Sequence, residues 1–535
     1  MSIGLLSRVA LSLLLFAGFA HTAEAQFSGN VSGVVTDASG AVIPTAALTL
    51  RNVATGEEKL ATSSGTGVYQ FVSLAPGNYE LSTSSAGFSS SRVQLKLDTN
   101  QTLNIPVSLV AGAANQVVDV SAQAPLLDTA DTRLQETLPT ETLSALPLAG
   151  RSMISLVTLA PGVTGTGVTS NGSPGSGRDN FSTETQVDAS ANGQGAVGNM
   201  YIVDGLDVTS SIRPGVLNMT PNPDSIQEAT IQTNTYSVDY GRASSVQMTM
   251  TTKSGGKSYH GNVSDYFTYQ KFFALREGST KYNPFHSNNI SATVGGPIFP
   301  RHDGFFFFAI EPLRASAAVT STGITFEDPA FTAFAKTAFP NSIGTKLLST
   351  YPVSQVGNVS AVSVAGSPGG PACGTASPIN LPCGTPYLDR GDYNDTAYRN
   401  GNQYSLRLDK TFRAERLYGA FYRTTLKSNG TNPRTAFGTT NSYYQYAIQV
   451  NETHTFSANT LNEAAFAAMR VEALPRKLAY SAFPWSTSPG SAKDSEQGSR
   501  RVILSSTTIT GAMFSITPSA RMIFASGTKG SSQMT

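Results

Sequence analysis

Beyond Gly256 the chain repeatedly alternates apolar and polar side chains over ten or more residues, and this pattern constrains the fold more than any other feature. In NQYSLRLDKTF (402–412), Tyr404, Leu406, Leu408 and Phe412 share one face, and Ser405, Arg407, Asp409 and Thr411 share the other. In YYQYAIQVNETHTF (443–456), Tyr444, Tyr446, Ile448 and Val450 oppose Gln445, Gln449 and Asn451. In RLYGAFYRTTL (416–426), Tyr418, Ala420, Tyr422 and Leu426 form the apolar side. A period of two marks β-strands, whose successive side chains point to opposite faces. A strand crossing a bilayer needs an apolar lipid side and a polar lumen side over about 9–11 residues. Soluble sandwiches alternate too, so the rest of the chain must decide between the two.

The N-terminus supplies an address. Arg8 is followed by the apolar run VALSLLLFAGFA (9–20), and Ala23-Glu24-Ala25 precedes Gln26. A basic start, a short apolar run and an A-x-A site predict a signal peptide over 1–25, cleaved between Ala25 and Gln26. The run is shorter than the roughly 20 residues of a membrane-spanning helix. Lys and Arg number 36 against 35 Asp and Glu, so charge offers nothing to a nucleic-acid partner. Charged residues make up 13% of the chain, about half the usual soluble share. In an exported chain, the cysteine pair Cys373 and Cys383 suits a local disulfide.

Residues 26–112 read as a first unit of short alternating strands. Turns fall at Asp37-Ala-Ser-Gly40, Pro44, Thr55-Gly56 and Pro76-Gly77. QTLNIPVSLV closes the unit with Leu103, Ile105, Val107 and Leu109 on one face, and Pro106 is tolerated on an edge strand. The spacing predicts a small β-sandwich. Gly33, Val35, Asp37, Gly40, Pro44, Gly67-Val-Tyr69, Phe71, Leu74, Tyr79 and Gly87-Phe88 resemble the carboxypeptidase regulatory-like domain, of the carbohydrate-binding-like sandwich group. No catalysis follows from that resemblance. The one string with zinc-peptidase spacing, His21-Thr-Ala-Glu24, lies in the signal segment.

A linker and second unit fill 113–256. LPLAGRSMISLVTLAPGV (146–163) predicts a short amphipathic helix. The Gly165-x-Gly167 run lacks the Lys-Ser/Thr of a phosphate loop and reads as a flexible loop. An apolar strand precedes an acidic turn at Asp204-Gly205, where Asp204 and Asp207 suit turn formation better than a cation site. A helix is expected to start at Asp224, followed by two strands and the alternating VQMTMT (246–251) before Gly255-Gly256.

LPLAGRS, YIVDGLD, PNPDSIQEATIQTNTYSVDYGRA, MTTKSGG and NPFHSNNISATVGGPIFPRHDGFFFFAIEPLR resemble TonB-dependent outer-membrane receptors. The nearest are the Oar-like group, which carry a regulatory-like domain before the plug. The resemblance implies a mainly β protein of the cell outer membrane: a periplasmic sandwich, a small α/β plug within 113–256, and the first strands of an antiparallel β-barrel over 257–535. Residues 315–400 would be a long extracellular loop. It further implies uptake of an unknown carbohydrate or peptide ligand, with the lipid bilayer and the inner-membrane TonB complex as partners. No cofactor, metal or catalytic residue is expected, and no TonB box is evident. The alternative is a non-transporting surface protein that binds carbohydrate or mediates adhesion. A plugged transporter needs about 22 strands, whereas roughly eight of the length outer-membrane strands require fit after Ser258. The barrel is therefore expected to be truncated, as in a fragment or a frameshifted gene.

Overall fold

The computed structural model describes residues 29–112, 117–121, 134–146, 148–168, 179–181, 185–234, 243–275, 277–278, 281–282, 284–299, 304–412, 415–457, 460–477 and 513–515. The segment 1–25 and its Ala25/Gln26 junction lie outside them.

The first unit is built from β1 (Gly29–Asp37), β2 (Ala47–Asn52), β3 (Glu58–Thr62), β4 (Val68–Leu74), β5 (Gly77–Ser84), β6 (Ser90–Leu97), β7 (Thr102–Asn104), β8 (Val107–Leu109) and β9 (Val117–Ser121). One sheet runs β4-β1-β7 with β8 also on β1, and the other runs β3-β2-β5-β6-β9. Their inward residues, among them Val31, Leu48, Leu50, Tyr69, Phe71, Leu81 and Leu97, form a single apolar core. Each such side chain contributes roughly 1.5–3 kcal/mol on burial. Tyr69 brings its polar tip inside, where its hydroxyl donates to the Ile105 carbonyl at 2.6 Å, and burial raises its pKa. The expected single closing strand is two short ones, because Pro106 lacks the N–H a continuous ladder needs. Both pair in parallel with β1.

The middle unit holds β10 (Leu134–Pro139), β11 (Val163–Val168), β12 (Thr185–Ala191), β13 (Met200–Val203), β14 (Leu206–Asp207), β15 (Val216–Leu217), β16 (Ile226–Asn234) and β17 (Gln247–Thr252). A five-stranded sheet, β10-β16-β17-β13-β14, sits beside a three-stranded one, β11-β12-β15. Three expectations change here. The Gly165-x-Gly167 stretch is not a loop but part of β11, paired with β12. The amphipathic segment forms 3-10 turns at Ala149–Arg151 and Met153–Leu159, burying Met153, Ile154, Leu156 and Val157. The start at Asp224 is a single 3-10 turn capped by Asn222, after which β-branched and buried residues continue as β16. In β17 all six residues are buried despite their alternation. Met248 and Met250 enter the apolar core, while Thr249 and Thr251 are covered on the other face.

The third region is one antiparallel sheet. It comprises β18 (His260–Tyr269), β19 (Phe285–Pro297), β20 (Gly304–Glu327), β21 (Val356–Val364), β22 (Pro386–Phe412), β23 (Glu415–Gly430), β24 (Thr439–Ser457) and β25 (Thr460–Lys477). The order is β18-β19-β20-β22-β23-β24-β25, followed by the short β26 (Met513–Ser515), with β21 on the outer part of β22. Over Arg399–Phe412, β22 pairs with β23; beyond β23's end, β21 takes its place against 386–393. The sheet thus continues to Glu327 and resumes at Pro386. The excursion between them holds helices at Pro329–Ala338 and Ile343–Thr350, together with the Cys373–Cys383 disulfide.

The opening alternation is resolved by burial. Leu408, Tyr446, Ile448 and Val450 are exposed on the outer face, while Gln403, Arg407, Asp409, Gln445 and Gln449 are buried on the inner one. In β23 the assignment reverses: Tyr418, Ala420, Tyr422 and Leu426 point inward to the middle unit, and Leu417 and Phe421 point out. Both faces of this strand are apolar, so periodicity could not choose between them. Inward residues of β20 and β22–β25 all reach the middle unit, which requires the sheet to curve around it. Gly255 marks the crossing from one to the other. A Cβ there would stand 2.4 Å from the Phe306 carbonyl oxygen and 2.7 Å from that of Gly296, so only glycine permits the approach.

Candidate functional site

The seam between the middle unit and the concave sheet face concentrates the molecule's buried charge. Its centre is the Asp204-Gly205 turn between β13 and β14. Asp204 takes a positive φ of 48°, a conformation Asp tolerates better than most residues. Its carboxylate accepts from the Thr252 amide at 2.8 Å, from the Thr252 hydroxyl, and from the Tyr422 hydroxyl at 2.6 Å. The Tyr418 hydroxyl donates to its carbonyl. From β22, Arg407 reaches Asp204 at 3.3 Å and holds Asp409 bidentately at 2.9 and 3.0 Å. Its remaining donors meet the Thr252 carbonyl at 3.0 Å and hydroxyl at 3.2 Å. Ser254 donates to Asp409 at 3.0 Å. The partners come from the β13–β14 turn, the end of β17, β22 and β23, and removing one would strand a charge in a dry site.

Two further bridges lie along the seam. Arg151 donates to Glu311 on β20 at 2.6 Å and to Asp224 at 2.8 Å, with its guanidinium 3.8 Å above the Tyr266 ring. Asn180 donates to the other Glu311 oxygen at 2.7 Å. Farther along β22, Arg399 pairs with Asp179 and donates to the Phe181 carbonyl at 3.3 Å. Arg399 and Arg407 are eight residues apart on one strand, roughly 26 Å. The middle unit is therefore pinned at both ends and in between.

Other seam groups are left without protein partners. Gln247 of β17 and Gln445 and Gln449 of β24 are almost wholly buried, and none of their amide atoms makes a hydrogen bond among the described residues. A polar group in that position costs about 1–3 kcal/mol unless solvated. The seam joins strong charged bridges to weakly satisfied stretches, unlike an interior built only for stability.

The first unit meets the same end of the seam. Thr99 donates from its amide to Glu228 of β16 at 2.5 Å and from its hydroxyl to the same oxygen, and its hydroxyl lies 2.8 Å from that of Thr251. Burial pushes the Glu228 carboxyl up to about 7; the Thr99 bonds oppose the rise and the nearby Asp98 charge adds to it. Between this unit, Thr251–Gly255 and the strand ends lies a cleft of about 290 Å³, lined in part by Asn78, Gln227, Arg407, Asp409 and Arg416.

The alternation in 402–412 places Arg407 and Asp409 on a lumen face, and the Asp-Gly dipeptide places Asp204 in a turn, but no sequence signal brings them together. The Asp-Gly dipeptide was the available signal for Asp204. Tyr418 and Tyr422 were missed because they were expected on the lipid side.

A long antiparallel sheet with an apolar outer face, curved against a separately folded unit across a charged seam, defines an outer-membrane β-barrel protein. The family described as outer membrane beta barrel domain matches residues 251–531, more than half the chain, and the chain belongs to that family and to the outer membrane. Residues 30–110 match the carboxypeptidase regulatory-like domain. The chain is similar to the TonB-dependent transporter Oar of Myxococcus xanthus, 28% identical over 273 residues. That match covers 48% of this chain and 23% of the relative's length. Among solved structures it is similar to the outer membrane transporter YddB from Escherichia coli, at TM-score 0.41 and 11% identity over 64% of this chain and 40% of that one. It is also similar to a mutant ferric enterobactin receptor (PfeA) from Pseudomonas aeruginosa, at TM-score 0.36 and 13% identity over 66% and 41%.

Proposed function

We propose that the protein is a TonB-dependent receptor and transporter whose middle unit is the plug. One observation carries the reading: a separately folded unit is held in the polar concavity of the sheet by the Asp204–Arg407, Arg151–Glu311 and Asp179–Arg399 bridges. A permanent filling would be better served by apolar contacts, since replacing buried ion pairs with hydrophobic residues is often neutral or stabilising. Charged bridges of this kind suit a body that must shift as a unit.

Orientation follows from the strand connections. Only two residues separate β22 from β23 and β24 from β25 at the end where the first unit lies, and the 328–385 excursion stands at the other. Outer-membrane barrels carry short turns in the periplasm and long loops outside. The first unit is thus periplasmic, and the excursion with Cys373 and Cys383 is extracellular. A ligand, carbohydrate or peptide, would bind from that side and pass when the plug moves under force from TonB. The clefts touching the sandwich are shared with the strand rim, which favours a docking role for it over a free carbohydrate site.

The test uses the purified periplasmic domain of TonB as probe against the full chain in detergent. Saturable binding is expected. Absence of binding would sink the coupling to TonB.

A further inference from the structure

The sandwich touches two bodies at once. On the middle unit, Thr99 holds Glu228 and meets Thr251, and the Gln227 amide donates to the Pro76 carbonyl at 3.2 Å. The Lys257 amide donates to the Ala54 carbonyl at 3.3 Å, and the Lys257 side chain covers Gly56, where a Cβ would lie 1.9 Å from its ammonium nitrogen. On the sheet rim, the Ser73 hydroxyl donates to Glu463 of β25 at 2.8 Å. Arg416 of β23 lines the clefts on both sides of this attachment.

We propose that the sandwich is a detachable brace: docked, it ties the plug to the periplasmic rim of the barrel, and it must release one attachment before the plug can shift. This regulation rests on the plug reading above. If the sandwich bound only the middle unit it would travel with it, and if it bound only the rim it would leave the middle unit free. Attachment to both, across a small polar interface flanked by clefts of about 290 and 460 Å³, gives a contact that restrains motion and can still be broken. Thr252 and Asp409 link the brace to the charged seam: both line the cleft under the sandwich, and both hold Arg407.

The test takes the full chain in native outer membranes and needs no ligand and no TonB, so its outcome is independent of the coupling experiment. T99C/T251C reports docking: oxidation should form a disulfide readily, and failure to form it overturns the proposal. S73C/E463C joined by a short bismaleimide staples the sandwich to the rim. Amide hydrogen exchange is then read at Asn180–Phe181 and Val216–Thr220, at the seam but away from the staple. The staple should slow exchange there at least fivefold, and S73A/Q227A, which leaves the seam charges intact, should quicken it. Unchanged exchange at these amides in both variants would show that the sandwich does not restrain the plug.

Discussion

The sandwich interior and the seam between the middle unit and the sheet are comparably buried but built on opposite principles. In the sandwich, Val31, Leu48, Leu50, Leu81 and Leu97 meet one another, and the buried Tyr69 hydroxyl has its partner. At the seam, Arg407 is shared between two carboxylates while Gln445 and Gln449 find no hydrogen-bond partner among the described residues. Apolar packing gives stability that declines gradually with each atom removed. A shared charge gives almost nothing until a partner is lost, and then a large penalty. The first is suited to a domain that stays folded, and the second to an interface with two distinct states.

Substitutions can break this contrast. The largest effect is expected from Arg407→Met, which strands Asp204 and Asp409 together. It should destabilise the plug within the sheet by about 3–5 kcal/mol, read as a lower urea midpoint for the full chain in detergent. Adding Asp204→Asn and Asp409→Asn should recover much of that loss; no recovery would show that Arg407 acts by packing alone. Leu81→Ala in the sandwich should cost about 2–5 kcal/mol, confined to protease resistance of residues 29–112.

The docking contact of Glu228 should depend on pH. Its carboxyl is raised from 4.5 to about 7 by burial in the assembled chain. The contribution of the protonated form is full below about pH 4.5 and is lost as pH rises through about 7. T99C/T251C cross-linking from pH 5 to 8 would show the decline, and Glu228→Gln should flatten it. Least of all, Arg51→Ala removes an exposed pair with Glu58 at 3.8 Å and should change stability by less than about 1 kcal/mol.

The same contrast explains how much could be read from the sequence. The sandwich strands follow from local signals: the Asp37 and Pro76-Gly77 turns and the alternation of Tyr79 and Leu81 all agree with the final topology. The outer face of β24 was legible because Gln445 and Gln449 mark the inner face clearly. Strand β23 was not, since Tyr418 and Phe421 are equally apolar and only the distant Asp204 decides which tyrosines turn inward. Seam contacts join residues some 200 positions apart, as with Asp204 and Arg407, and no periodicity carries that information. The 3-10 turn at Pro223–Ser225 shows the same limit on a smaller scale, because sheet pairing of β16 overrode a good helix start.

Strand β22 runs for 27 residues, roughly 90 Å along the chain, whereas the apolar band of an outer membrane is about 25 Å tall. Even a steep tilt leaves much of β20, β21 and β22 standing clear of the lipid as a rigid parapet crowned by the disulfide-closed tip. In the proposed orientation that parapet faces away from the cell, so a molecule arriving from outside would meet it before the bilayer.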